Sequence, residues 1–270
     1  MENSFTSLSI DPARIILLPW IEIDDQFEFV RALSENVFAA QEFAVKVIPS
    51  TDRTLFNELA VSGKLNLLSE ENATQVFSYS YGYILSMDFP SQLKNRQKSQ
   101  EDGHYIYLFM EPIEFEFADL PDEPKINEDF YFEVLIALYY ARKRFKFTHW
   151  DIHAKQLMFN MTEEGSSRSY NIGGKFFVTI EDTKIQPKLI DYGKSALDET
   201  YSDDDWREPR FKKMWNKSDI YHLSLIFSHR ENLSPKMRDF LEKIVLPMYR
   251  SSMYVQQRKV GRVASVFCCD

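Results

Sequence analysis

The sequence predicts an α+β chain in two lobes: a small antiparallel sheet carrying one main helix, followed by a mostly helical second half. Two observations predict this. Short apolar runs bounded by polar turns recur up to Met110, and beyond Pro121 the apolar residues fall into a helical period. A length of 270 residues with 44% hydrophobic content is also enough to bury a sizeable core.

Taken in order, Ile15–Leu18 and Phe27–Val30 are short apolar runs suited to strands. Phe43–Ile48 reads as a buried strand interrupted by one charge, Lys46. From Arg53 to Leu68 the residues Leu55, Leu59, Leu65 and Leu68 gather at roughly helical spacing. Glu58 lies on an adjoining turn of that helix, where it can meet Lys46. Ser78–Leu85 and Tyr105–Met110 complete a sheet packed on the helix, and polar Ser91–Gly103 reads as an exposed connection. In the second half Phe130–Phe145 is the longest amphipathic stretch, its aromatic stripe belonging to the core. Gly173-Gly174 beside apolar residues signals a hairpin. No internal repeat is present.

Two segments carry the chemistry: His149–Gln156 and Leu189–Gly193. In the first, Asp151 stands on a loop five residues before the amide of Gln156. A carboxylate so placed can receive a hydroxyl proton while the amide oxygen reaches a metal. In the second, Asp191 ends an apolar strand just before a glycine turn, a position from which a carboxylate can hold Mg²⁺ against phosphates.

The pair resembles the H-x-D-x-x-x-x-N loop and D-F-G turn of protein kinases, and the other parts follow in the same order. Phe43–Ile48 is similar to the V-A-I-K strand, Tyr105–Pro112 to the strand entering the hinge, and Lys217–Phe227 to a buried helix whose Asp219 accepts bonds from the loop backbone. Within that superfamily the chain is most similar to the haspin-like branch, compact members of which also occur in large DNA viruses. His153 two residues after Asp151, the Asp191-Tyr192 pair, the segment Asn57–Ser69 and an extra hairpin across Ser169–Ile180 carry this likeness. The resemblance spans roughly residues 43–227. It implies one domain over residues 1–270, with an N-lobe to about residue 111, a hinge at about 111–116 and a C-lobe beyond. It further implies an ATP-dependent serine/threonine protein kinase using Mg²⁺ or Mn²⁺. Asp151 and Lys46 would then be catalytic, Lys46, Glu58, Glu111 and Asp191 would bind the nucleotide, and Asp191 and Gln156 would hold the metal.

The chain departs from the pattern in particular places. No glycine precedes Gly63, so the glycine-rich phosphate loop is missing, and Glu35 stands in the segment where it should turn. Gln156 replaces Asn, moving the amide oxygen one methylene outward. Trp150 replaces the Arg that receives an activation-loop phosphate, and Glu208-Pro209 is a faint echo of the element closing that loop. These departures keep open a pseudokinase that acts as a binding scaffold. A small-molecule phosphotransferase, which shares the H-x-D loop, is a third reading.

The charge balance, 32 basic against 41 acidic residues for a net of −9, argues against general nucleic-acid binding and favours a basic protein substrate. Glu111, Glu114, Glu116, Asp119, Asp122 and Glu123 after the hinge strand, with Asp203–Asp205, are the residues expected to attract it. Only Cys268 and Cys269 are present, adjacent to each other, so no disulfide framework is expected and a reducing compartment is. No signal peptide or membrane span is evident, which predicts an intracellular protein, cytoplasmic or nuclear, in a host cell if the source is viral.

Overall fold

The computed structural model describes residues 29–33, 36–40, 43–49, 52, 54–86, 105–174, 176–197 and 218–247. The expected strand at Ile15–Leu18, the connection at Ser91–Gly103, Glu35, Asp203–Asp205, Glu208-Pro209 and the terminal cysteines lie outside them.

β-branched and aromatic runs build the first sheet. β1 (Phe29–Ala32), β2 (Val37–Ala40), β3 (Phe43–Pro49), β4 (Ser80–Ser86) and β5 (Tyr105–Met110) pair antiparallel in the order β1-β2-β3-β5-β4. The expected strand at Phe27–Val30 is thus shifted toward Ala32. In β3 the period of two sets Val45 and Val47 on one face and Ala44, Lys46 and Ile48 on the other. Ile48 packs with Leu55 and Leu59 of α1 (Leu55–Glu70) and with Ile106 and Leu108 of β5. Lys46 therefore faces the helix, not solvent.

Thr54 is the N-cap of α1, and the Asp52 carboxylate just before it accepts from the Thr54 amide at 2.8 Å. Asn72, at φ 54°, ends it, with the Ala73 amide returning to the Leu68 carbonyl. Farther along the helix, Val61, Leu65 and Leu68 enter a second and larger core with Phe130, Val134 and Phe227. One helix thereby packs into both cores, which fixes the small sheet against the rest of the chain.

α2 (Pro124–Phe145) crosses that larger core. It begins earlier than Phe130 because Pro124 occupies the first turn, where a missing N–H goes unused. Lys146, at φ 55°, closes it. α3 (Ser218–Ser228) follows the predicted span, and Tyr131 and Ser224 join hydroxyls across the two helices at 2.9 Å. α4 (Pro235–Asp239), capped by Ser234, runs on into a π-helical turn over Phe240–Val245. Among the described residues no helix is long and apolar enough to cross a membrane.

Helices predominate after residue 117, yet two small sheets stand among them. β6 (Phe115–Glu116), β7 (Leu157–Met161) and β10 (Ile185–Leu189) pair in the order β10-β7-β6. β8 (Arg168–Ile172) and β9 (Phe176–Ile180) form the predicted hairpin, which turns through Gly173 and Gly174 at φ 66° and 73°. Tyr170 and Ile180 hold it on Ile136 of α2, and Arg168 forks onto Glu133 at 2.5 and 2.9 Å.

Candidate active site

The site is assembled where three strand ends and α1 meet. β10 ends beside residues 76–78, the Leu189 amide donating to the Val76 carbonyl at 2.7 Å and the Ser78 amide to the Leu189 carbonyl at 3.1 Å. The Ile190 amide donates to the Gln156 carbonyl at 3.1 Å, tying the His149–Gln156 loop to the same point. Asp191 follows at φ 65°, a left-handed conformation that Asp tolerates better than most residues. Gly193 follows at close quarters: a Cβ there would come within 3.2 Å of the Thr54 hydroxyl oxygen at the start of α1, which would have to give by a few tenths of an ångström. Asn57 of α1 clasps this turn, its amide donating to the carbonyls of Gly193 at 3.1 Å and Ser195 at 2.6 Å.

Lys46 is the hub. Its Nζ lies 2.7 and 2.9 Å from the two oxygens of Glu58 and 3.0 Å from Asp191 Oδ1. Burial disfavours the Lys46 ammonium, but the two carboxylates overcome this and raise its pKa. Glu58 is buried and its carboxyl is pushed up by that burial, against the pull of Lys46. Asp191 is partly desolvated as well, yet the Lys46 charge and the Gln156 amide hold its carboxyl below the usual range. Lys46 thus stands between two carboxyl groups, with Nζ within 3.0 Å of both. Gln156 Nε2 donates to Asp191 Oδ2 at 3.0 Å and lies 3.2 Å from His153 Nε2.

Lys46, Glu58, Glu111, Gln156 and Asp191 line one cavity of about 440 Å³. Five of the six residues singled out in the sequence thus meet in one place. Asp151 opens on a neighbouring cavity of about 510 Å³, walled by Trp150, Ile152 and Leu225. Asp219 fixes the loop between the two, accepting from the His149 amide at 2.7 Å and the Trp150 amide at 3.0 Å. Those two bonds hold Trp150 at φ 72°, a conformation that costs roughly 1–2 kcal/mol when unsupported.

His149 is structural. Its Nε2 lies 3.0 Å from the Ile190 carbonyl, which a neutral ring satisfies by donating, and its buried Nδ1 meets no partner. Burial pushes its imidazole below the ordinary value, and His222 is pushed the same way by the same cause. The unfolded chain then binds protons that the folded one refuses, so stability declines as pH falls below about 6.5. Replacing His149 by Phe should flatten the dependence of the unfolding free energy on pH between about 7 and 5, by at most about 1.4 kcal/mol per pH unit, and that of Tm with it. An unchanged slope in thermal melts across that range would show that His149 is protonated in the fold.

Several residues of the site escaped the sequence reading. Lys188 is buried and binds both oxygens of Glu111 at 2.6 and 2.8 Å, so the Glu111 carboxylate is taken up internally. A lone Lys in the apolar run Ile185–Ile190 was the available signal. Lys194 Nζ lies 2.9 Å from Asp151 Oδ2, and Lys155 lines the cavity of Lys46; no spacing rule pointed to either. Tyr192, by contrast, was singled out with Asp191; it is buried, donates to the Leu189 carbonyl and accepts from the Ser78 amide at 2.8 Å. Ser195 is buried, with its hydroxyl donating to the His149 carbonyl at 3.2 Å.

No known protein family matches the chain, and no curated protein does. Solved structures do match. One is the crystal structure of the Rad53 kinase domain and SCD2, at 14% identity over 83% of this chain and 73% of that one, with a TM-score of 0.46.

Proposed function

We propose that the chain has a protein-kinase-like fold and transfers the γ-phosphoryl group of ATP to Ser or Thr hydroxyls of a protein. The observation that carries this reading is Lys46, held at once by Glu58 and Asp191 on the wall of a cavity about 440 Å³ in volume. That volume suits a small-molecule ligand, for which sites of roughly 300–1,000 Å³ are usual. A lysine fixed between two carboxylates is oriented to meet phosphate oxygens.

The donor set also fits a hard divalent ion. Among the described residues no cluster of three or more His, Cys, Asp or Glu is placed to hold a metal by itself. Mg²⁺ typically takes one or two carboxylates and leaves the rest to phosphate and water, and Asp191 with the Gln156 amide supplies such a partial shell. When bound, ATP and Mg²⁺ supply the transferable group and neutralise its oxygens. The chain's own residues do the rest. Lys46 would orient the phosphates, Glu111 and Ile113 on the cavity wall would meet the base, and Asp151 would accept the proton of the hydroxyl it aligns.

The acidic segment after β5 gives weaker support for a basic substrate than its composition implies. Glu111 is bound by Lys188, Asp122 by Arg230 at 3.2 Å, and Glu123 lies 3.7 Å from Lys184. Glu114, Glu116 and Asp119 remain to attract a Lys- or Arg-rich segment.

A scaffold that binds nucleotide without turnover is the second reading, and one contact favours it. Gln156 turns its amide nitrogen, not its oxygen, toward Asp191. Labelled ATP with Mg²⁺ or Mn²⁺ and a mixed panel of basic and neutral proteins, beside an Asp191→Ala control, separates the two. Transfer that the control lacks supports the enzyme, and binding without transfer supports the scaffold.

Nucleotide binding should depend on the ion and on Lys46, because no glycine loop shares the work. With Mg²⁺ present, ATP at about 100 times its Kd should raise Tm by roughly 5–10 °C. Lys46→Ala should lose most of that rise, measured against its own ligand-free Tm. An undiminished rise would remove Lys46 from the site.

A further inference from the structure

The residue that stands out beside Asp151 is Lys194. It rests on a fixed base: the Gly193 and Ser195 carbonyls on either side of it are both held by Asn57, and the Ser195 amide closes on the Tyr192 carbonyl at 2.9 Å. Its side chain is 57% exposed, and its Nζ reaches Asp151 Oδ2 at 2.9 Å. Asp191 lines the cavity of Lys46, while Lys194, three residues on, lines the cavity of Asp151. The turn between them therefore spans the place where a donor phosphoryl group and an acceptor hydroxyl would meet.

Among the described residues the cations that line the two cavities are Lys46, Lys155 and Lys194, and the first of them is already committed. Lys46 is already bound by two carboxylates, and the chain has no glycine before Gly63 to bring backbone donors over the phosphates. A phosphoryl group arriving beside Asp151 meets a like charge. His153 stands 3.9 Å from the same Asp151 oxygen, but its Nε2 is also 3.2 Å from the Gln156 amide. Lys194 brings a compact ammonium on a flexible stem, with three donors to share.

We propose that Lys194 is a catalytic residue of the transfer, its ammonium bridging Asp151 and a non-bridging oxygen of the migrating phosphoryl group. The inference rests on the phosphoryl-transfer reading above. In the step itself, the bond from the acceptor oxygen to γ-phosphorus forms as the bond from γ-phosphorus to the bridging oxygen breaks. ADP leaves with that electron pair, and the hydroxyl proton passes to Asp151. Lys194 gives up no proton; it offsets the charge that gathers between Asp151 and the phosphoryl oxygens. The alternative is a half-exposed ion pair of little consequence.

The test compares wild type with Lys194→Met and Lys194→Arg in two readouts, steady-state transfer to a Ser/Thr peptide and calorimetric affinity for ATP and for ADP with Mg²⁺. Lys194→Met should lower kcat by about 100-fold. It should also weaken ATP by about tenfold relative to ADP, because only ATP carries the group that Lys194 touches. Lys194→Arg should restore most of both, and all three proteins should melt alike. A methionine variant with wild-type kcat overturns the inference alone. A fall in kcat with an unchanged preference for ATP over ADP also overturns it, leaving Lys194 as a positioning partner of Asp151. A wild-type protein that binds nucleotide but transfers nothing removes the catalytic role, and one that binds neither nucleotide overturns the phosphoryl-transfer reading as well.

Discussion

Asp191→Asn should reduce phosphoryl transfer by about 10³-fold or more while leaving the fold standing. The carboxylate touches both Lys46, at 3.0 Å, and Gln156, at 3.0 Å. It is also the anion best placed to hold a divalent ion, since Glu58 is buried behind Lys46. An amide of the same shape keeps the hydrogen-bonding outline and removes the charge. Its side chain is 42% exposed, so the loss should lower Tm by only a few degrees. Asp151→Asn should match it in rate but differ in binding. Asp151 faces the other cavity, so its variant should retain the ATP-induced rise in Tm, whereas the Asp191 variant should lose the part that requires Mg²⁺. Steady-state rates and thermal shifts on both variants check this. An Asp191→Asn enzyme within about tenfold of wild type would take Asp191 out of the reaction, because a shared charge of this kind is worth more than that.

The parts of this site that could be read in the sequence are those fixed by local rules. Lys46 interrupts an apolar strand, and a strand's period of two dictates that it shares a face with Ala44 and Ile48. Glu58 falls in the first turn of α1 beside Leu55 and Leu59, so the helical period that buries those leucines also carries the carboxylate to Lys46. Asp219 sits in the first turn of α3, and its expected bonds to the loop backbone are present. Positions decided by tertiary approach were not legible. Nothing along the chain relates Lys188 to Glu111 or Lys194 to Asp151, because each pair is formed by packing between distant segments. The start of α2 was missed for a different reason: Lys125, Glu128 and Asp129 dilute the apolar period there, and proline at the first position was the stronger signal. The two small sheets of the second half were obscured in a similar way. β6 is only two residues long, and β10 carries a lysine and a proline.

Glu133→Ala should destabilise the fold by about 3–5 kcal/mol, which for a chain of this size is on the order of 10 °C in Tm. Glu133 lies on the buried face of α2 and its carboxylate takes both arms of Arg168, at 2.5 and 2.9 Å, and the Tyr170 hydroxyl at 3.0 Å. Burial raises the Glu133 carboxyl, and the Arg168 guanidinium opposes this, so the ion pair stands only while both partners are present. Removing the carboxylate strands a partly buried guanidinium and a phenol whose pKa is already pushed up by burial. Arg168 also donates to the Ile185 carbonyl at 2.5 Å, at the first residue of β10. The damage therefore travels along a single strand toward Asp191. Because the pair acts as a unit, Glu133→Ala combined with Arg168→Leu should be less destabilised than the sum of the two single changes, by about 1–3 kcal/mol. Chemical denaturation of the four proteins measures that coupling. Additive losses would mean that the hairpin is held on α2 by Ile136, Tyr170 and Ile180 alone, and that the ion pair contributes nothing to the strand that presents the site.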